Sequence, residues 1–289
     1  MAMITVGEAR VGTVRSLVRT AGPSDASDAI VFVHGNPGSS EDWVDLISHS
    51  GEIGRVIAPD MPGYGKADRP RDFDYTVAGY SQHLAGLLDQ LGVTRAHLVL
   101  HDFGGPWGLH WAAQHPSQLA SVTLINIGVL PGYTWHKFAR LWRTPVLGEL
   151  LQLMASRGVF RALLNRDNPR PFPTAFVDRM FDDADWGQKR AVLKLYRATS
   201  DLGGMAQQLG EALKPLRLPA LVLWGDGDRY LPVRYAAVQN DYFDADVHIM
   251  PGCGHWPMID EPEQVRALLI PFLQRQLAKG DSRQPETLD

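Results

Sequence analysis

Along this chain, short unbroken apolar runs alternate with longer helical stripes. Val11 to Arg19 alternates apolar and polar residues, as a half-buried antiparallel strand does. Ala29 to Val33 (AIVFV) is continuously apolar, the pattern of a strand covered on both faces. Arg55 to Ala58, Leu98 to Leu100, Val122 to Ile127, Ala220 to Trp224 and Asp246 to Met250 read as further short strands. Thr76 to Leu91 places Val77, Tyr80, Leu84, Leu87, Leu88 and Leu91 at helical spacing, with Gly92 as a C-cap. Trp107 to Gln114 and Glu263 to Ala278 show the same period. Strands and helices alternating through short loops predict an α/β fold, with flanking helices on a mostly parallel central sheet.

The rhythm breaks at about residue 129. No strand pattern appears until about residue 214, and helical patterns dense in Trp and Phe take over. Residues 1–128 and 214–289 are therefore expected to form one core domain, and residues 129–213 a helical cap inserted into it. The polar stretch Lys279 to Asp289 reads as a frayed tail.

Composition narrows the class. The 289 residues are 45% hydrophobic, ample for a large core, and the formal net charge is −4 with no basic run. That argues against nucleic acid and against anionic membrane surfaces as partners. The first residues carry no apolar core of signal-peptide length, and no stretch is long enough to span a bilayer. One cysteine, Cys253, excludes an intramolecular disulfide and fits a reducing compartment, so a cytoplasmic location is expected.

The chemistry gathers at strand ends. Leu98-Val99-Leu100 runs into His101-Asp102-Phe103-Gly104-Gly105 and then a helical pattern. A strand, a sharp turn with one reactive side chain and a helix behind small residues make a nucleophile elbow. Ser is the common nucleophile; here it is Asp102. Asp102 would also serve as a helix N-cap, but a cap does not require Gly104 and Gly105 beside it. Asp228 and His255 follow two later strands, and in a parallel sheet such ends meet on one side. Asp226 is a second acidic candidate, and Asp228 is preferred because it lies further out on its loop. Cys253-x-His255 has no companions that would make a metal site. His34-Gly35-Asn36-Pro37 follows a buried strand, and His34 is expected to shape that loop. The backbone N–H groups of Asn36 and Phe103 are the expected oxyanion hole.

HGNPGSS, DMPGYG, LHDFGG, LWGDGD and GCGHWP, in this order, resemble the α/β-hydrolase superfamily over about Val11 to Leu277. The elbow aspartate resembles the epoxide hydrolase and haloalkane dehalogenase branch. The resemblance implies an alkyl ester on Asp102, hydrolysed by water that His255, oriented by Asp228, activates. It also implies cap tyrosines that protonate an epoxide oxygen. Tyr196, in a Tyr-Arg pair with Arg197, fits one; Tyr133 or His136 is left for the other. Leu100 departs from the small residue usual there. Haloalkane dehalogenases resemble one another in a Trp after the nucleophile. Phe103 departs from that Trp, although Asn36 matches their halide-binding Asn, and Trp135, Trp142 or Trp186 could compensate. Phe103 also departs from the Arg of haloacetate dehalogenases. The expected activity is opening of a neutral, hydrophobic epoxide by water. Trp135, His136, Trp142 and Trp256 are expected in the substrate pocket. Haloalkane dehalogenation is the alternative, and a non-enzymatic binding protein, indifferent to loss of Asp102 or His255, comes after it. No metal or organic cofactor is implied, and the chain is expected to be a monomer or homodimer.

Overall fold

A computed structural model describes residues 1–281. Eight strands form one sheet: β1 (Thr5–Val11), β2 (Val14–Ala21), β3 (Asp28–Val33), β4 (Arg55–Pro59), β5 (Arg95–His101), β6 (Leu119–Ile125), β7 (Pro219–Gly225) and β8 (Asp244–Met250). Their order across the sheet is β1-β2-β4-β3-β5-β6-β7-β8. From β4 to β8 all neighbours are parallel, and β1 and β2 add an antiparallel edge.

The expected strand over Val11 to Arg19 is wrong in its bounds. Val11 pairs with Val14 across a tight turn, so the stretch straddles a hairpin. β1 escapes sequence reading because it is an edge strand with one buried residue, Ala9, and no apolar alternation. The parallel strands behave as their continuous apolar runs require. In β3, Ala29, Val31 and Val33 join one core cluster while Ile30 and Phe32 join the other. The two-residue period thus feeds both faces of the sheet.

The helices of the core are α1 (Val44–Ser50), α2 (Val77–Gln90) and α3 (Gly104–Gln114). α2 starts on Thr76, whose hydroxyl accepts the Gly79 N–H. Between β6 and β7 run six helices: α4 (Lys137–Arg143), α5 (Leu147–Met154), α6 (Arg157–Asp167), α7 (Thr174–Asp183), α8 (Trp186–Ala198) and α9 (Leu202–Leu213). α10 (Arg234–Val238), α11 (Pro257–Asp260) and α12 (Pro262–Asp281) complete the chain. α12 includes Lys279 to Asp281, which were expected in the frayed tail; the rest of that stretch, residues 282–289, lies outside the described residues. The insertion is tied to the core by Arg179 of α7, which donates to Ser39 Oγ at 2.6 Å and pairs with the buried Asp42. Among the described residues no helix is long and apolar enough to cross a membrane.

Candidate active site

β5 delivers Asp102 at its carboxyl end. Asp102 has φ +48°, a left-handed conformation that costs a non-glycine residue energy and aims the side chain out of the turn. Close neighbours allow this geometry only because they lack side chains. A Cβ on Gly104 would lie 2.1 Å from the Val33 carbonyl oxygen, and one on Gly35 would lie 2.3 Å from Asp102 Cβ. Leu100 is accommodated by a matching exchange of size: its Cδ2 occupies the space where a Cβ on Gly108 of α3 would stand, 2.5 Å away.

Asp102, Asp228 and His255 meet. His255 Nδ1 lies 2.7 Å from Asp228 Oδ2, and His255 Nε2 lies 3.3 Å from Asp102 Oδ2. The other Asp102 oxygen, Oδ1, accepts the Asn36 N–H at 2.7 Å. The loop that presents Asn36 is held by His34, whose Nε2 accepts the Met61 N–H and whose Nδ1 therefore donates to the Gly35 carbonyl, both at 2.9 Å. Phe103 follows Asp102 as the N-cap residue of α3, and its ring stacks on Trp135 and meets Tyr196 edge-on.

Asp228 is heavily supported. Its Oδ1 accepts the N–H groups of Tyr230 and Leu231 at 2.7 and 3.0 Å, and its Oδ2 also accepts Asn126 Nδ2 at 2.6 Å. Asp226 instead accepts the Gly252 N–H at the surface and shapes its turn. Asn126 fell inside the strand expected over Val122 to Ile127 and was not singled out. It sits just past β6 with φ +48°, bonds Asp228, and accepts the Gly225 N–H through Oδ1. The one available signal was a lone amide closing the run VTLIN. His101 was also passed over. Its Nε2 donates to the His255 carbonyl at 2.7 Å, and burial keeps the ring neutral, pushed down to about 3.

The electrostatics follow from this packing. Burial opposes the His255 imidazolium, but the charges and hydrogen bonds of Asp228 and Asp102 outweigh it and raise the group to about 10. Burial works on the Asp102 carboxyl in the opposite sense to His255 and the Asn36 amide, which together hold it below the ordinary carboxylate range. His255 is therefore held as an imidazolium between Asp102 and Asp228.

A cavity of about 400 Å³ rises over Asp102 and His255. His136, Trp142, Tyr196 and Trp256 line it, with Asn36 beside them. Tyr133 and Trp135 line instead a smaller cavity that Asp102, His136 and Tyr196 also border. The Tyr133 hydroxyl donates to the Tyr230 carbonyl at 3.3 Å, and Trp135 Nε1 donates to the Thr199 carbonyl at 3.1 Å. Trp135, expected in the substrate pocket, thus lines the smaller cavity beside Asp102 and not the larger one, and Trp186 is an exposed surface residue.

Hydrogen-bond accounting shows which donors stay available. The Tyr196 oxygen accepts Asn36 Nδ2 at 3.3 Å, which leaves its own O–H free. Burial, reinforced by Asp102, raises the Tyr196 phenol well above its ordinary value, so it keeps its proton. His136 caps α4 by accepting the Ala139 N–H on Nδ1. Burial pushes His136 down to about 4. A neutral ring that accepts on Nδ1 carries its proton on Nε2.

This fold and this cluster define a hydrolase scaffold with an aspartate at the elbow. The chain belongs to the alpha/beta hydrolase fold family, whose pattern it matches over residues 28–262. It is 25% identical over 283 residues to a 2-hydroxy-6-oxo-6-phenylhexa-2,4-dienoate hydrolase of Burkholderia cepacia, covering 93% of this chain and 95% of that one. Among solved structures it superposes on haloalkane dehalogenase DbeA from Bradyrhizobium elkani with a TM-score of 0.83 at 24% identity, over 96% of this chain and all of that one. On the epoxide hydrolase CorEH the TM-score is 0.79 at 19% identity, over 96% and 99% of the two chains.

Proposed function

We propose that the protein opens hydrophobic epoxides to vicinal diols through an alkyl ester on Asp102, with residues 129–213 serving as a cap domain. Asp102 Oδ2 attacks a ring carbon, and the carbon–oxygen bond of the ring breaks. The released oxygen takes a proton from Tyr196, with His136 Nε2–H as the second donor. The proton count then closes within the site. The donor is reprotonated from His255, whose imidazolium is no longer held by the Asp102 charge. Neutral His255 takes a proton from water, and the hydroxide attacks Asp102 Cγ. The oxyanion that forms on Oδ1 is met by the N–H of Asn36, with the N–H of Phe103 as the second expected donor. Collapse expels the diol oxygen, which takes the proton from His255, and the Asp102 carboxylic acid that remains passes its proton to His255, restoring the carboxylate and the imidazolium.

The observation that carries this reading is the free Tyr196 O–H beside Asn36, above Asp102. Haloalkane dehalogenation through the same Asp102, His255 and Asp228 is the second reading. Asn36 favours it, since its amide N–H groups line the cavity. Two observations weigh against it: Phe103 has no side-chain donor, and Trp135 Nε1 is already bonded to Thr199.

Replacing His255 with Gln tests the reading, because the ester should form and persist. Incubation with styrene oxide is expected to add the whole epoxide to the intact protein mass. A mass gain from a bromoalkane with loss of HBr, and none from epoxides, would overturn epoxide opening in favour of dehalogenation. No adduct with any electrophile would remove Asp102 as nucleophile.

A further inference from the structure

The cavity above Asp102 is larger and more one-sided in character than ring opening alone requires. Away from Asp102 its walls come from α5, α6 and α8 and include Leu151, Met154, Val159, Leu163 and Val192. Met154 is 77% exposed and Val159 51%, so the cavity reaches the surface between α5 and α6. Lys189 stands on the wall, but its ammonium is engaged by the Gln152 carbonyl at 3.0 Å and lies over the Trp186 ring. Gln188 contributes one buried amide. Apart from the Gln152 and Gln188 side chains, this outer portion offers hydrocarbon surface and no further charge. Outside it, α5 continues the apolar surface with Leu150 and Leu153 exposed.

We propose that the substrate carries its reactive carbon on a linear aliphatic chain of about ten to fourteen carbons, which lies between α5 and α6 with its far end near Met154 and Val159. This rests on the reading of Asp102 as the nucleophile. The length follows from volume. At about 30 Å³ per water-sized group, a cavity of about 400 Å³ holds roughly 13 heavy atoms. The cavity runs from Asp102 and His255 at its buried floor to the exposed Met154 and Val159, a course that an extended chain follows. Each methylene moved from water into such a passage strengthens binding by about two- to fourfold until the passage is full.

Binding of unreactive n-alkan-1-ols from hexanol to hexadecanol, read by the emission of Trp142 and Trp256 in the wild-type protein, tests the chain site without chemistry. Dissociation constants are expected to fall by about two- to fourfold per methylene and to level off between about ten and fourteen carbons. Leu163→Trp, and independently Leu151→Trp, should move that break to shorter chains by about two carbons. A flat series, or a break that neither variant moves, overturns the proposal. The His255→Gln protein with 1,2-epoxyalkanes separates the two claims. Alkanols that follow the series while no epoxide adds mass would refute the Asp102 reading and leave the chain site standing. Equal rates of ester formation from epoxyhexane and epoxydodecane, with a flat alkanol series, would refute the chain site alone.

Discussion

Asp102→Asn reproduces the charge of the ester without its chemistry, and it should release His255 from its raised state. In the resting protein, Asp102 Oδ2 stands 3.3 Å from His255 Nε2. At an effective dielectric near 20, unit charges at that separation attract by about 5 kcal/mol, or roughly 3.7 units of pKa. Spreading each charge over two atoms reduces this, so a fall of about 2–3 units is expected. His255 should then titrate at about 7–8, down from about 10. That places its neutral form within reach at physiological pH, as the hydrolytic half-reaction needs. The assay is a proton or nitrogen NMR titration of the His255 imidazole in both proteins. Stability gives a second reading. A group near 10 when folded and near 6.5 when unfolded contributes stability that is fully present below about 6.5 and lost as pH rises to about 10. The loss over that window should be steeper in the wild type than in Asp102→Asn. A His255 that titrates within half a unit of the same value in both proteins would refute the argument that ester formation switches the base on.

Two further outcomes follow from the geometry. In the His255→Gln background, Tyr196→Phe should slow ester formation from an epoxide by about 10²–10³, while Tyr133→Phe, whose hydroxyl is engaged by the Tyr230 carbonyl, should leave it nearly unchanged; stopped-flow mixing with mass detection measures both. Gly104→Ala drives a Cβ to 2.1 Å from the Val33 carbonyl and should cost about 3 kcal/mol or more. By calorimetry that is a fall in Tm of about 6–12 °C, whereas Gly158→Ala, with nothing within 4 Å of the new Cβ, should show no loss.

The parallel strands were legible because burial on both faces forces short unbroken apolar runs bounded by turn residues. Their carboxyl ends then located Asp102, Asp228 and His255 without any knowledge of distance. β1 was not legible, because an edge strand with one buried residue has no pattern to show. Asn126 and His101 were missed for a related reason. A single polar residue at the end of an apolar run reads as the end of the strand, and only the fold reveals that it supports a neighbour's carboxylate or carbonyl. Within the insertion, helical period marks which faces are apolar but not which ring meets the void. Trp135 and Trp142 are indistinguishable in sequence; one spends its N–H on Thr199 and the other lines the cavity.

The leaving-group question turns on which donors the fold has already used. Tyr133 and Trp135 hold early positions in the insertion and carry the right groups, yet both are bonded to backbone carbonyls. Tyr196 accepts from Asn36 and so keeps a hydrogen to give, and His136, fixed by its capping bond, presents its proton on Nε2. A departing epoxide oxygen consumes one proton, and the resting site holds one in excess on His255. A departing halide consumes none, so dehalogenation would have to pass that proton to solvent before water could be activated. On the proposed reading, a departing epoxide oxygen takes up that proton through Tyr196 and His136, residues on two elements that share no sequence motif.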